Sequence, residues 1–309
     1  MRRKVCVASV CNGLFLVIMI WYVNDRFLEK DVLVRTTKQN RKHCVDVIVY
    51  SCSGFQMQKK NVCVASKIDN QINMHTLHWK AVKNVPQNVS YFKEKKLKNL
   101  NVLLNSFVKI CKRKKIPFLL YGGSLLGTYR HHGKIPWDDD VDVIISANAK
   151  RRLRHSLDTD MIHSLNVRGD TSTQWKVFRK GDNQWPFIDV FFYDENKTHI
   201  WDTVPQYRGR FVFYKSDIFP VVYRLFNGLC LPVPRNIRVV LEQNYDIDRC
   251  QSPKFDHFTN SKLPVRRRLN IRCVKLYPWF PFVFHDVGSL YLETLKINNS
   301  IISYHQVNV

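Results

Sequence analysis

The chain has few acidic residues for its size. Its 309 residues contain 25 Asp and Glu against 49 Lys and Arg, which gives a formal net charge of +24. A positive surface attracts anions such as phosphates, nucleotides or acidic membranes, although a basic surface without a single partner also explains the charge. The cations are scattered and form no DNA- or RNA-binding module, so nucleic acid is not a predicted partner.

The sequence also lacks internal repeats, low-complexity tracts and CxxC pairs. Their absence argues against a repeat architecture and leaves a structural zinc site without support. A hydrophobic content of 45% and an aromatic content of 13% are typical of a globular chain. We therefore expect one domain of catalytic size and an additional segment.

An uncharged, mostly apolar segment of 19 residues lies near the N-terminus, from Val5 to Val23. It is long enough to cross a bilayer as a helix. The basic residues before it favour a cytosolic N-terminus, so we predict a cytosolic tail (residues 1–4) and a single-pass type II signal anchor (residues 5–23). A cleavable signal peptide is the alternative, but no clear small-x-small cleavage site follows the segment.

Two further patterns predict a lumenal location for the rest of the chain. N-glycosylation sequons begin at Asn88, Asn196 and Asn298. Seven of the nine cysteines follow the predicted anchor, and some of these are expected to pair in an oxidising compartment. Because seven is odd, at least one thiol stays free or joins another chain.

Two regions follow the anchor. Residues 24–90, a predicted lumenal N-terminal region, contain short apolar runs at Val45–Tyr50 and Asn61–Ser66 that predict strands of a small folded region. Residues 91–309 open with apolar positions spaced by three and four between Leu97 and Cys111, which predict an amphipathic helix with a basic end.

The predicted order after this helix is strand, glycine turn, helix, loop and acidic strand. Thr173–Lys180 and Trp185–Tyr193 are rich in aromatic and β-branched residues, and predict a hairpin with a turn at Gly181-Asp182-Asn183. The region after about Phe211 has no clear period and predicts only mixed structure.

Four aspartates occur within five positions of the segment IPWDDDVDVII, Ile135–Ile145. In a strand that continues into the core, Asp138, Asp140 and Asp142 share one face and Asp139 lies on the other. Three carboxylates on one half-buried face repel one another unless a cation lies between them. Hard oxygen ligands suit Mg²⁺ or Mn²⁺, so we predict a divalent metal site rather than a solvated acidic turn.

Asp189 lies in a second apolar segment, FIDVFF. If its strand lies beside the acidic strand, Asp189 joins Asp140 and Asp142 in a set able to hold two metal ions about 4 Å apart, a spacing used in phosphoryl-type displacements. A salt bridge to one of the many Lys or Arg residues is the alternative for Asp189.

A glycine turn precedes the second predicted helix and consists of Gly122, Gly123 and Ser124. The glycines allow an anion to approach the backbone closely and Ser124 can cap the helix, so all three are candidates for phosphate binding. Arg130 and Lys134, placed in the connecting loop, are candidate donors to phosphate oxygens.

The segment YGGSLLGTYRHHGKIPWDDDVDVII, Tyr121–Ile145, closely resembles the motif of the LicD and fukutin family, in which GG-x-LLG-x-x-R leads into PWDDDxD. A weaker similarity continues to about residue 255, through FIDVFFY and LPVPRNIRVVLEQNY. There Tyr245 is followed by Asp246 where the family has Gly. The sequence is most similar to the animal fukutin-like members, which are anchored in Golgi or ER membranes.

The resemblance implies an α+β fold for residues 91–309, a nucleotidyltransferase-like mixed sheet flanked by helices. It also implies transfer of a phospho-alcohol, of ribitol-phosphate or phosphocholine type, from a CDP-activated donor to a glycan hydroxyl. By the same resemblance, metal held by Asp140, Asp142 and Asp189 bridges the diphosphate, and Arg130 with the glycine turn holds the phosphates. Asp138 is then either a metal ligand or the base that takes the acceptor's proton.

Two other functions stay open at the level of sequence. One is a non-catalytic lumenal scaffold of the same fold, against which the clustered like charges argue. The other is transfer of the nucleotidyl half of the donor, which uses the same metals and diphosphate and differs only in its products.

Overall fold

The computed structural model describes residues 45–64, 94–169, 173–182, 185–285 and 292–307. The predicted tail and anchor and the sequon at Asn88 lie outside these residues. Within them, none of the helices has both the length and the apolar character needed to cross a bilayer. All the described residues belong to one compact unit apart from Val45, Cys63 and Val64, the outermost residues of the first two strands.

The described residues form α-helices and strands in an α+β arrangement. The helices are α1 (Glu94–Arg113), α2 (Gly122–His131), α3 (Lys150–Asp158), α4 (Lys215–Ile218) and α5 (Ile237–Glu242). The first nine strands are β1 (Val45–Ser53), β2 (Gln56–Val64), β3 (Leu119–Leu120), β4 (Val141–Ser146), β5 (Leu165–Arg168), β6 (Gln174–Arg179), β7 (Ile188–Glu195), β8 (His199–Asp202) and β9 (Val212–Tyr214). The others are β10 (Val222–Phe226), β11 (Leu229–Val233), β12 (Arg249–Gln251), β13 (Phe255–Asp256), β14 (Ser261–Lys262), β15 (Asn270–Arg272), β16 (Phe282–His285), β17 (Leu292–Ile297) and β18 (Ser300–Gln306).

A mixed sheet carries the predicted site. Its order is β3-β4-β7-β6-β5, with β8 beside β7 and β9 beside β8. The strands β4 and β7 run parallel, whereas the other neighbouring pairs run antiparallel. Both β4 and β7 are nearly continuous apolar runs because they lie at the centre of the core, where Val141, Val143 and Val190 are fully buried.

Helix α1 confirms the predicted amphipathic helix. Its apolar face buries Leu103, Leu104, Phe107 and Ile110 completely. Each such side chain contributes about 2 kcal/mol of transfer free energy relative to exposure. The helix ends in a basic turn, and Lys115 then adopts a left-handed conformation (φ 51°) that redirects the chain into β3.

The predicted hairpin is also present, since β6 pairs antiparallel with β7 and Val177 lies opposite Ile188. The predicted strands of residues 24–90 are longer than expected and extend into β1 and β2. They complete a second sheet with the last three strands, in the order β16-β17-β18-β1-β2, because β1 pairs parallel with β18.

Among the described residues, two disulfides join distant segments of the fold. Cys52 in β1 bonds to Cys230 in β11, and Cys250 in β12 bonds to Cys273 in the 3-10 turn after β15. Cys111 is a free, buried thiol on α1. The region after Phe211 contains three two-stranded ribbons, β10-β11, β12-β15 and β13-β14, which agrees with the mixed structure predicted there.

Candidate active site

The carboxylate cluster lies at the amino ends of β4 and β7. The two strands are parallel and in a register that places Asp142 directly opposite Asp189. Asp140 immediately precedes β4, and it completes a group of three carboxylates with ligand oxygens all within 4.8 Å of one another. The structure therefore brings together the three residues that the sequence predicts as metal ligands, Asp140, Asp142 and Asp189.

Burial and mutual repulsion make the cluster costly without a cation. Burial raises the pKa of Asp140 well above its usual range, and the neighbouring charges of Asp142, Asp138 and Asp189 raise it further. Burial, then Asp138 and Asp189, likewise raise the pKa of Asp142 well above normal. A carboxylate ligand must be ionised to bind a cation, so a cation and protons compete for these oxygens.

Asp138 and Asp139 both lie in the loop before β4, but their carboxylates have different surroundings. Asp138 lies beside the cluster, and burial raises its pKa while the charge of Lys134 opposes this. Asp139 is buried and accepts hydrogen bonds from the backbone N–H of His257 (2.7 Å) and from its Nδ1 (2.8 Å). Asp139, Asp140 and His257 also have ligand atoms within 4.8 Å of one another, so Asp139 lies nearer the cluster than strand parity predicts.

Both alternatives considered for Asp189 are present in the structure. Its carboxylate belongs to the cluster, and it also forms an ion pair with Lys176 on β6, with Nζ 3.1 Å from Oδ1. Burial raises the pKa of Asp189, and Lys176 opposes the rise. The ammonium of Lys176 also lies 3.4 Å from the ring centroid of Phe187. Lys176 thus offsets part of the negative charge that the cluster concentrates.

The glycines make room for carboxylates. They form the first turn of α2 rather than a separate loop, and Gly122 has φ 50°. A Cβ at Gly123 would lie 2.7 Å from Asp138 Oδ2, and one at Gly122 would lie 3.0 Å from Asp142 Oδ2. The backbone N–H of Gly123 donates to Asp142 Oδ2 (2.9 Å). This hydrogen bond ties the start of α2 to the cluster.

Ser124 has a different role from the predicted helix cap. The residue at the cap position of α2 is Tyr121, and no side chain caps the helix. The hydroxyl of Ser124 accepts a hydrogen bond from the backbone N–H of Asp142 (2.8 Å). It therefore fixes the start of β4 against α2, because Ser124 already lies within the helix.

Arg130 belongs to the last turn of α2, not to the connecting loop, and it is buried. Its Nη1 donates to the backbone oxygen of Arg249 (3.0 Å) and contacts Cys273 Sγ (3.3 Å). Burial lowers its pKa to about 10, against the opposing charge of Asp138. Arg130 thus ties α2 to the Cys250–Cys273 disulfide, and phosphate binding by its guanidinium stays a prediction.

Lys134 is buried in the loop between α2 and β4, where the sequence places it. Its Nζ donates to the backbone oxygen of Ile135 (3.0 Å). Burial lowers the pKa of Lys134 to about 8, and the charges of Asp138, Asp139 and Asp140 oppose the drop. Lys134 is therefore a predicted substrate-binding residue whose ammonium group interacts with the charges of Asp138, Asp139 and Asp140.

Three residues near the cluster were missed at the sequence level, namely Lys176, Tyr245 and His257. Burial raises the pKa of Tyr245, and the charges of Asp142 and Asp138 raise it further. The hydroxyl of Tyr245 therefore interacts electrostatically with the carboxylates. Alternation along the predicted hairpin could have found Lys176, since it pairs with Asp189 across β6 and β7. No local pattern points to His257, which reaches Asp139 from a ribbon more than a hundred positions later.

The chemistry of the cluster fits a divalent cation. Hard carboxylate oxygens that lie within 4.8 Å of one another are the kind of donor that Mg²⁺ and Mn²⁺ take in proteins. A cation among them would relieve the repulsion between Asp140, Asp142 and Asp189. The identity of the metal is not fixed by these residues.

Comparison with known proteins agrees with this geometry. Residues 115–236, which contain α2, β4 and β7, match the family described as LicD/FKTN/FKRP, nucleotidyltransferase domain. We refer to residues 115–236, the segment that matches this family, as the LicD-type domain. The resemblance of Tyr121–Ile145 to this family is thus confirmed, and the LicD-type domain includes Asp138, Asp140, Asp142 and Asp189.

The curated relatives of the LicD-type domain are transferases by name. The chain is 33% identical over 117 residues to lipopolysaccharide cholinephosphotransferase LicD of Haemophilus influenzae, covering 33% of this chain and 44% of the relative. It is 27% identical over 146 residues to the human ribitol 5-phosphate transferase FKRP, covering 45% of this chain and 30% of the relative. It is 27% identical over 150 residues to the mouse ribitol-5-phosphate transferase FKTN, covering 48% and 32%. The chain thus spans less than half the length of each of these relatives.

Proposed function

We propose that the protein is a metal-dependent transferase of the secretory pathway that moves a phospho-alcohol from a CDP-activated donor to a glycan hydroxyl. The observation that carries the proposal is the group of Asp140, Asp142 and Asp189 at the amino ends of two parallel strands, in which Asp140 and Asp189 are buried and Asp142 is half-buried. The named activities of the relatives, choline phosphate and ribitol phosphate transfer, support the class of group transferred. Mg²⁺ or Mn²⁺ is the proposed cofactor.

The proposed reaction breaks one phosphoanhydride bond of the donor. The acceptor hydroxyl oxygen bonds to the phosphorus that carries the alcohol, and CMP leaves with the bridging oxygen. A divalent cation at the cluster supplies charge neutralisation of the diphosphate and of the leaving CMP. Asp140, Asp142 and Asp189 would hold that ion, and Lys134 adds positive charge beside them.

Asp138 is the proposed base. It lies next to the cluster but outside the group of three ligands, and burial raises its pKa above the ordinary carboxyl value, which makes it a stronger base. It would receive the proton of the acceptor hydroxyl as the new bond forms. The first turn of α2 positions this carboxylate, because only glycine at position 123 leaves space for Asp138 Oδ2.

The proposed location is the Golgi or ER lumen, with the chain held as a single-pass type II membrane protein. Two disulfides within the described residues support an oxidising compartment. The sequons at Asn196 and Asn298 both lie in exposed turns between adjacent strands, where a glycosyltransferase can reach them. The apolar segment at residues 5–23 supplies the proposed anchor.

The test is turnover of CDP-alcohols by the full-length protein. CDP-ribitol and CDP-choline are incubated with glycan acceptors and Mn²⁺, and CMP and the acceptor product are measured. Asp140→Asn and Asp142→Asn should each abolish CMP release while the circular dichroism spectrum stays native. Unchanged turnover in either variant contradicts the metal role.

Analysis of the products also distinguishes phospho-alcohol transfer from nucleotidyl transfer. Transfer of the phospho-alcohol releases CMP and adds the alcohol phosphate to the acceptor. Transfer of the nucleotidyl half adds CMP to the acceptor and releases the alcohol phosphate. A folded protein that binds neither CDP-alcohol in the presence of Mn²⁺, by calorimetry, would instead be a scaffold of the same fold.

A further inference from the structure

An apolar cavity of about 310 Å³ lies away from the carboxylate cluster. Its walls are mainly aromatic and aliphatic side chains from α1, β3, β4, β7 and the β10–β11 ribbon, together with the turn between β1 and β2. The aromatic part of the wall consists of Phe55, Phe118, Tyr193, Phe219 and Tyr223. None of the lining residues is acidic.

The cavity and the cluster are lined by different residues of the same two strands. Asp142 and Asp189 are each the second residue of their strand, whereas the cavity is lined by Ile144 of β4 and Tyr193 of β7. The two sites share no residue. A ligand in the cavity therefore lies outside the proposed active site.

The wall at Phe55 is held in place by covalent and aromatic contacts. The Cys52–Cys230 disulfide joins β1 to β11, three residues before Phe55. The ring of Phe55 packs edge-on against Tyr223 at 5.0 Å and lies 6.3 Å from Phe118. The cavity is thus built from fixed parts of the fold, as ligand pockets usually are.

Two lysines give the cavity a positive rim. Lys112, in the last turn of α1, and Lys115, just after it, both line the cavity and are exposed. The Nζ of Lys112 lies 5.5 Å from the ring centroid of Phe55. Lys114 lies between them in sequence and is equally exposed, but it does not line the cavity.

We propose that this cavity binds a single-chain lipid that ends in a phosphate monoester. The volume lies at the lower end of the range for ligand pockets, which favours one alkyl chain over two. The apolar walls suit that chain. A phosphate monoester carries a charge of about −1.5 to −2 near neutral pH, which matches the two ammonium groups of Lys112 and Lys115. The site is independent of the proposed transferase activity.

The test is calorimetric titration of the full-length protein with dodecyl phosphate below its critical micelle concentration. Saturable binding with one site per chain is the expected result, with much weaker binding of inorganic phosphate and of dodecanol. No saturable binding of dodecyl phosphate, or equal binding of inorganic phosphate, overturns the proposal.

Charge reversal at the rim tests the proposed head-group contact. The double variant Lys112→Glu/Lys115→Glu should weaken dodecyl phosphate binding by about ten-fold or more, because two attractions become repulsions. The matched control Lys114→Glu should change the affinity by less than about two-fold, since exposed charges away from a ligand act weakly. An equal loss in both variants means that diffuse surface charge binds the probe, which contradicts the proposal.

Two further variants locate the binding. Val221→Trp places a larger side chain in the wall of the cavity and should abolish dodecyl phosphate binding while the protein stays folded by circular dichroism. Asp140→Asn, at the carboxylate cluster, should leave that binding unchanged. Loss of binding in Asp140→Asn but not in Val221→Trp would place the probe at the active site and overturn the proposal.

Discussion

Individual aspartates in the acidic segment have different environments although they are adjacent in sequence. Alternation predicts that Asp138, Asp140 and Asp142 turn one way and Asp139 the other. The structure groups Asp140 and Asp142 with Asp189 although β4 begins only at Val141, and it also brings Asp139 close to Asp140. Alternation misses that Asp139 is buried against His257, because that partner comes from a distant ribbon.

Asp139→Asn should therefore affect stability more than cation binding. The variant replaces a buried carboxylate that accepts two hydrogen bonds from His257, so we expect a loss of about 1–3 kcal/mol in the free energy of unfolding. Urea denaturation measures this loss, and calorimetry with Mn²⁺ should show affinity within about three-fold of wild type. Abolished Mn²⁺ binding in a folded Asp139→Asn protein would make Asp139 a ligand in its own right.

Gly123 is needed because of the carboxylate beside it. Gly123→Ala places a Cβ 2.7 Å from Asp138 Oδ2, so Asp138 must move and the proposed base is displaced. We expect turnover to fall by about ten-fold to a hundred-fold, as misplacement of a reacting group does. Gly209→Ala is the matched control, since a Cβ there meets no atom within 4 Å. Equal activities of the two variants would argue against a role for Asp138.

Helices and strands with their own apolar period could be predicted from the sequence. Helix α1, strand β4 and the β6–β7 hairpin follow from spacing within each segment. The parallel pairing of β4 with β7 creates the site. The sequence could not predict this pairing, because periodicity within a strand does not show which strand lies beside it. The pairing of β1 with β18 could not be found for the same reason.

The sequons make a prediction at the level of turns. Asn196 lies between β7 and β8, and its Oδ1 accepts hydrogen bonds from the backbone N–H groups of Thr198 and His199. Asn298 lies between β17 and β18 with φ 52°. Both turns are exposed, so both asparagines should carry glycans in a lumenal protein.

Glycosidase digestion followed by electrophoresis measures this occupancy in protein expressed in a eukaryotic secretory pathway. Thr198→Ala and Ser300→Ala each destroy one sequon while the asparagine stays, so each should remove one glycan. Ser261→Ala, an exposed serine outside any sequon, is the control. A protein without glycans at either turn would contradict the lumenal location.

Charge is unevenly distributed in the molecule, since a chain of net charge +24 holds three carboxylates with oxygens within 4.8 Å of one another. Folding raises the pKa of Asp140 and Asp142 above that of the unfolded chain, about 4. At pH values between the unfolded-state pKa and the higher folded-state pKa, the folded protein therefore binds more protons than the unfolded chain. Without a cation, the cluster lowers stability progressively as the pH rises above about 4 toward neutrality.

Asp140→Asn isolates this effect. In EDTA at pH 7, the variant should be more stable than the wild type by about 1–3 kcal/mol in the free energy of unfolding, and it should unfold at a higher temperature. This difference in stability should shrink as the pH falls toward 4. Mn²⁺ should raise the unfolding temperature of the wild type at pH 7 and have much less effect on the variant. Parallel pH profiles of the two proteins, with equal responses to Mn²⁺, would contradict the role of the cluster.

The parallel contact between β1 and β18 has a consequence for biosynthesis. Tyr304 lies opposite Val49, so β1 cannot form its parallel pairing until β18 has been synthesised. Until then, the hairpin of β1 and β2 has an unpaired edge that is open to incorrect pairing. A premature stop codon at Ser300 would remove β18 and leave β1 without its partner, so we expect such a chain to be retained and degraded although the whole LicD-type domain has been translated.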